Sequence, residues 1–553
     1  MNAARRLCSL PPTRLHLLPL LLAMAMCATA CSSTDAGSIW QDPASDAEAN
    51  EGATEACNPG SDATIDSSSP QDAPQDGYGT DVQQEAEPPS PDGGQEASFD
   101  AGDGAGPSDD AAAQPHPLFD MAMIRDASTA QCSFTNATLA FADGVLLQGW
   151  SVSYVSWESV GGVLKPIVIR GFAARPQGSG TARPGIVLAH GLGGYGDLSQ
   201  AAGVAAKTGA FVIAYSGPGS GSDASNTSEG IPPMEGGWYR LFDTATDTRG
   251  SWFWAHAVAA MRGLTCLEGR ADVDPARLGM TGYSGGGIAT LIAAGVDSRV
   301  KAAVPISSSH AFSVAALSPG AWWHGLVQSA GLTLTSPEWT KTQQELIDPA
   351  ATVAHASASI LMVNGTADEF FPLTAHVATL DAVPHDNKRT SLIGNYDHGC
   401  YQKAGVEAES AIADRASLRM NGGQRAWFHH WFGTDADYAY LPAAPKLQID
   451  SQGSSLSVTA VVDPGGSTLK VGLVGFWFSI DDGYTWQGVA LDSAGGGVFA
   501  KQVPITLPSN AVTYVDVEYS TKALLNPGKF SLSSRPEMPA GVVLHIRDQS
   551  SCQ

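Results

Sequence analysis

Residues 32–116 contain no lysine, no arginine and almost no aromatic side chains, against 19 aspartates and glutamates. Alanine, serine, glycine, proline and glutamine make up most of the remainder. Such a stretch has too little apolar surface to offset the entropy of ordering it, which excludes a packed domain and predicts a disordered acidic linker. A block so biased stays solvated. Much of the net charge of −25 over 553 residues is therefore the linker's and does not bear on the substrate. An acidic chain also excludes nucleic acid as a partner, since phosphates attract Lys and Arg. The chain has no C-x-x-C and no His-x-x-x-His spacing, which excludes the usual structural zinc sites.

The most apolar stretch near the N-terminus, 15–30, has 16 residues and is short for a membrane-spanning helix. It follows Arg5, Arg6 and Arg14 and runs into small residues, the layout of an export signal. Ala28-Thr29-Ala30-Cys31 resembles a bacterial lipoprotein signal, which implies lipidation of Cys31 and a membrane attachment through that anchor alone. The alternatives are ordinary cleavage near Ala30 and, from the Arg5-Arg6 pair, twin-arginine export. Of the eight cysteines, Cys8 and Cys27 leave with the signal. Cys57, Cys132, Cys266, Cys400 and Cys552 remain beyond Cys31. Export permits disulfides, their pairing stays open, and an odd number leaves at least one unpaired.

From about 117 to 440 short apolar runs alternate with helix-like stretches. Strands are predicted over 185–190 (G-I-V-L-A-H), 210–215, 277–283, 301–306 and 359–364, with helical character over 252–267 and 288–294. Continuous Val, Ile and Leu runs are what strands buried on both faces of a parallel sheet require. The alternation implies an α/β, doubly wound, mostly parallel sheet. Two longer strands, near 150–158 and 165–174, are expected to form an antiparallel edge. The last segment, 444–553, is rich in Gly, Ser, Val and Thr with alternating runs, and reads as a small C-terminal β-sandwich. Within it Ser479-Ile480-Asp481-Asp482-Gly483-Tyr484-Thr485-Trp486 matches the Asp-box hairpin. A single copy does not make a propeller, so a turn with a packed Trp486 is expected.

Gly282-Tyr283-Ser284-Gly285-Gly286 fits G-x-S-x-G, with a strand leading in and a helix leading out. Glycines must flank a serine held on so sharp a turn. A serine at its free pKa needs a base, and the base needs an acid to orient it. Asp368 and His398 both follow predicted strands and stand in the chain order Ser, Asp, His. Glu369 and Asp397 compete as the acid; His310, His355, His376, His385, His429 and His430 compete as the base. Upstream, His190-Gly191-Leu192-Gly193-Gly194 also follows a strand. The backbone N–H groups of Leu192 and Gly285 are the expected oxyanion hole, and His190 is expected to be structural. Two long insertions, 216–251 and 307–350, leave the same sheet edge. Trp322 and Trp323 in the second are candidates to line a substrate pocket, the alternative being that they pack a lid helix onto the sheet.

The run 274–287 (D-P-A-R-L-G-M-T-G-Y-S-G-G-G), with Thr366-Ala367-Asp368-Glu369-Phe370-Phe371-Pro372 and Asp397-His398-Gly399, resembles the α/β-hydrolase superfamily. It is most similar to the branch of dienelactone hydrolases, acetyl xylan esterases and prolyl-oligopeptidase-like enzymes. The resemblance covers about 150–435 and implies no metal and no cofactor. Serine stands where dienelactone hydrolases carry cysteine, which favours esters over lactones. The expectation is an exported serine hydrolase cleaving small or polymer-linked carboxylic esters with Ser284, Asp368 and His398. Amide hydrolysis by the same triad is one alternative, and a non-catalytic surface lipoprotein on this scaffold is the other.

Overall fold

The computed structural model describes residues 116–178, 182–344, 347–399, 407–523 and 527–547. The signal segment, Cys31 and the linker up to residue 115 lie outside them, as do Cys57, Cys400 and Cys552.

Three strands open the main sheet: β1 (Ser133–Ala142), β2 (Val145–Val160) and β3 (Val163–Pro176). They pair antiparallel, and β2 and β3 are joined by Gly161-Gly162, both at positive φ. Only glycine adopts that conformation twice in succession without strain, and it is the turn that suits the twist of a hairpin. Strands β4 (Arg183–Ala189), β5 (Phe211–Tyr215), β6 (Val273–Tyr283), β7 (Val300–Ile306), β8 (Ser359–Gly365) and β9 (Lys388–Ile393) follow. They are mutually parallel in the order β5-β4-β6-β7-β8-β9, with β3 antiparallel to β5 at one side.

Helices return the chain between these strands: α1 (Leu198–Thr208), α2 (Trp252–Glu268), α3 (Gly285–Val296) and α4 (Leu373–Ala382). Their starts are locally encoded. Asp197 caps α1 by accepting from Gln200 N, and Ser251 caps α2 by accepting from Phe253 N, each satisfying a first-turn N–H that the helix leaves open. The sheet buries both faces. One apolar cluster joins α2 and α3 to the sheet; a second joins α1 and α5 (Gly423–Phe432) to the other face. Every residue of α3 is buried, which explains why it is apolar all round. A disulfide between Cys132 and Cys266 ties the segment before β1 to α2.

The C-terminal segment is all β, as expected: β10 (Lys446–Gln452), β11 (Ser455–Val461), β12 (Leu469–Ser479), β13 (Gln487–Ala490), β14 (Asp492–Gly495), β15 (Val498–Val503), β16 (Val512–Thr521) and β17 (Lys529–Ser533). It does not stand apart. β17 pairs with β9 at Ser533 and Thr390, so the main sheet continues as β9-β17-β16-β12-β13. Leu392 N donates to Ser533 Oγ at 2.8 Å across the same seam. The remaining strands form a second sheet, β10-β11-β15-β14, and Leu456 and Val458 from it share a buried cluster with Phe476, Val515 and Val517 of the first. β9 would otherwise be an open edge, and β17 covers part of it.

Candidate active site

Ser284 follows β6 directly and caps α3, at φ 57° and ψ −118°. A non-glycine residue at positive φ is strained and persists only where its surroundings impose it. Those surroundings are glycines. A Cβ on Gly282 would lie 2.5 Å from the Gly286 carbonyl, and one on Gly286 would lie 2.0 Å from Ala189 O. The turn is therefore pressed against the end of β4, where His190 and Gly191 begin the next loop. A Cβ on Gly191 would reach 3.1 Å from Ser284 Cβ.

Asp368 and His398 come from the loops after β8 and β9, at the same carboxyl edge. The structure brings them into line with the serine. His398 Nε2 lies 2.8 Å from Ser284 Oγ, and Nδ1 lies 3.0 Å from both Asp368 oxygens. A carboxylate facing Nδ1 fixes the proton there and leaves Nε2 to accept from the serine hydroxyl. Asp368 is buried and accepts at Oδ1 from Phe370 N at 3.0 Å and Phe371 N at 2.8 Å. These donors fix the carboxylate's orientation toward the imidazole.

Five of the competing groups make contacts elsewhere. Asp397 Oδ1 accepts from Gly399 N at 2.9 Å. His376 bonds Thr390 Oγ1, and His429 and His430 bond the carbonyls of Lys207 and Tyr438. Glu369 does not orient the imidazole; its Oε2 accepts from the backbone N of His398 at 3.0 Å. Burial, with Asp397 and Asp368 beside it, pushes the Glu369 carboxyl well above the usual range. Glu369, from its sequence position a rival to Asp368, is instead a support of the histidine loop. Adjacent acids at 368 and 369 were the available signal that both belong to the histidine's surroundings.

Leu192 and Gly285 face each other across the elbow: a Cβ on Gly285 would lie 3.3 Å from Leu192 N. Gly285 is the first residue of α3, and the first N–H groups of a helix have no partner within it. His190 is locked by two bonds. Its Nε2 accepts from Gly217 N at 2.7 Å, and its Nδ1 lies 2.7 Å from Gly191 O. Burial pushes it down to about 4, so it is a neutral brace for the loop carrying Leu192. Trp322 and Trp323 lie against the acid loop. The indole of Trp323 donates to Phe370 O at 2.9 Å and that of Trp322 to Arg547 O at 3.3 Å. Both rings meet Phe370 edge-on, and Phe370 stands 4.7 Å from the His398 ring between centroids. The described residues hold no group of three or more His, Cys, Asp or Glu suited to a metal ion.

No family model matches the chain, and no curated protein matches it either. Among solved structures the chain is similar to the acetyl xylan esterase from Paenibacillus sp. R4, with 20% identity over 52% of this chain and 90% of that one, at a TM-score of 0.40. It is also similar to acetyl xylan esterase 1 from Thermoanaerobacterium sp. JW/SL YS485, with 16% identity, 55% and 95% coverage and a TM-score of 0.39. A third is the acylaminoacyl peptidase of Pyrococcus horikoshii, with 15% identity, 55% and 42% coverage and a TM-score of 0.37. The chain's own strand order, its strained serine between β6 and α3 and the succession Ser284, Asp368, His398 are those of the α/β-hydrolase fold.

Proposed function

We propose that this chain is an exported serine hydrolase that cleaves carboxylic esters through an acyl-enzyme. The observation that carries the reading is the unbroken line from Asp368 through His398 to Ser284, with hydrogen-bond distances of 3.0 and 2.8 Å. His398 Nε2 takes the Ser284 proton as Oγ attacks the ester carbonyl. The tetrahedral oxyanion is met by the N–H groups of Gly285 and Leu192, and the N-terminus of α3 favours the same negative charge. His398 then returns its proton to the leaving alcohol, and water repeats the cycle on the acyl-enzyme. Serine in place of cysteine at position 284 supports esters as the substrate class.

Export, with lipidation at Cys31, belongs to the same reading. Arg5, Arg6 and Arg14 before the apolar run support it, as does the Cys132–Cys266 disulfide, a bond at home in an oxidising compartment. The decisive measurement is hydrolysis of a short-chain nitrophenyl ester by the wild type and Ser284→Ala. The variant should lose roughly 10⁴-fold or more in kcat, and wild-type turnover no faster than the variant's sinks the proposal. In cells, an alkyne-tagged palmitate should label the wild type and not Cys31→Ala; an unlabelled wild type removes the lipid anchor.

A further inference from the structure

The loop that carries His398 is held from two sides: the loop after β8 bonds it through Thr366, Ala367 and Glu369, and the C-terminal segment grips it from the other. Asn395, three residues before the histidine, sits at φ +60°, a conformation that costs energy unless its neighbours enforce it. Its side chain makes a two-way clamp with the Asp-box turn between β12 and β13: Oδ1 accepts from Trp486 N at 2.8 Å, and Nδ2 donates to Trp486 O at 2.8 Å. That turn is itself rigid. Asp481 accepts from Ser479 Oγ, Thr485 N and Thr485 Oγ1 at 2.6–2.9 Å, and Trp486 is buried with its indole donating to Gly483 O.

The end of the described chain closes over the same turn. His545 N donates to Asp482 O at 2.7 Å. Two residues on, Arg547 is buried, and its guanidinium donates to Tyr484 O at 2.8 Å and Asn395 O at 3.4 Å. It is a buried cation attracted to Asp397. Its own carbonyl accepts from Trp322. The C-terminal segment thus places three hydrogen bonds on Asn395, two from Trp486 and one from Arg547.

We propose that Asn395, Trp486 and Arg547 are positioning residues: the C-terminal β segment and its tail hold the His398 loop in the register where Nε2 reaches Ser284. The proposal rests on the serine-hydrolase reading of that site. It differs from simple structural support because an error of about 1 Å in the imidazole is enough to cost about 100-fold in rate, while an intact sheet would keep the fold.

The test compares the full-length wild type with Arg547→Met and Arg547→Lys, measuring kcat and KM on a nitrophenyl ester and hydrogen exchange of the amides at 394–399. Arg547→Met should lower kcat by about 10- to 100-fold with KM changed less than about threefold, and should speed exchange across 394–399. Arg547→Lys should recover part of kcat. Should the Met variant not fold, Arg547→Gln replaces it under the same criteria. A folded variant with kcat within about twofold of the wild type overturns the proposal. So does unchanged exchange at 394–399, and that arm reads the clamp whether or not the protein turns over ester. A wild type no faster than Ser284→Ala overturns the hydrolase reading first, and the positioning role with it.

Discussion

Two buried groups near Ser284 titrate away from their ordinary ranges, and in opposite senses. Glu369 keeps its proton when folded because it is buried beside Asp397 and Asp368, whereas the unfolded chain releases it near pH 4.5. The unfolded state then binds fewer protons, so stability falls as pH rises above that value, at up to about 1.4 kcal/mol per pH unit within the window. Glu369→Gln keeps an acceptor for His398 N and removes the titration. Its stability advantage over the wild type in urea unfolding should widen from pH 5 to pH 8; a constant difference contradicts the assignment. His190 runs the other way. Burial lowers it to about 4, so the unfolded chain takes up a proton near pH 6.5 that the folded one refuses. Stability is full above pH 6.5 and is lost as pH falls toward 4, with His256 and His376 contributing in the same direction. His190→Gln retains an acceptor for Gly217 N and should flatten, without abolishing, that acid slope; an unchanged slope places the loss elsewhere.

Among elements, the turn from β6 to α3 has the least tolerance. A methyl group on Gly286 would meet Ala189 O at 2.0 Å and the Ala189 carbonyl carbon at 2.5 Å, both backbone atoms of a central strand that cannot yield. Gly286→Ala should therefore cost at least about 3 kcal/mol, the severe end of overpacking, and abolish ester turnover; a folded, active variant would mean the strand has shifted. The parallel strands were legible in the sequence for a physical reason. β5 and β8 are buried at every position, so they read as unbroken apolar runs. β1 was missed because most of its side chains are exposed, leaving Thr and Asn among apolar residues with no clean period. Its tip even presents Phe141 and Leu139 to solvent.

For the whole molecule, the meeting of Ser284, Asp368 and His398 follows from chain order and strand ends, which the sequence shows. The way the C-terminal segment joins the rest was not. The seam between β9 and β17 is made by Thr390, Leu392 and Ser533 through backbone and hydroxyl groups, and nothing in their composition announces a partner 140 residues away. Arg547 is similarly silent, since a lone arginine near a terminus reads as solvated. The continuous sheet and the apolar cluster shared by Ile393, Phe428, Val517 and Leu532 predict one cooperative unfolding event. Calorimetry should show a single transition for the described fold; two well-separated transitions would mean that the seam contributes little.

The seam also has a consequence in time. A chain made from its N-terminus completes β9 and His398 well before β17 and residue 547. At about 5–20 residues per second, the interval is on the order of ten seconds. Until then the last parallel strand has no neighbour on its outer side, and the histidine loop has neither its clamp nor its buried arginine. The backbone packed against the serine turn lies between 189 and 308, well ahead of that segment. The segment that seats His398 is thus made after every strand around Ser284.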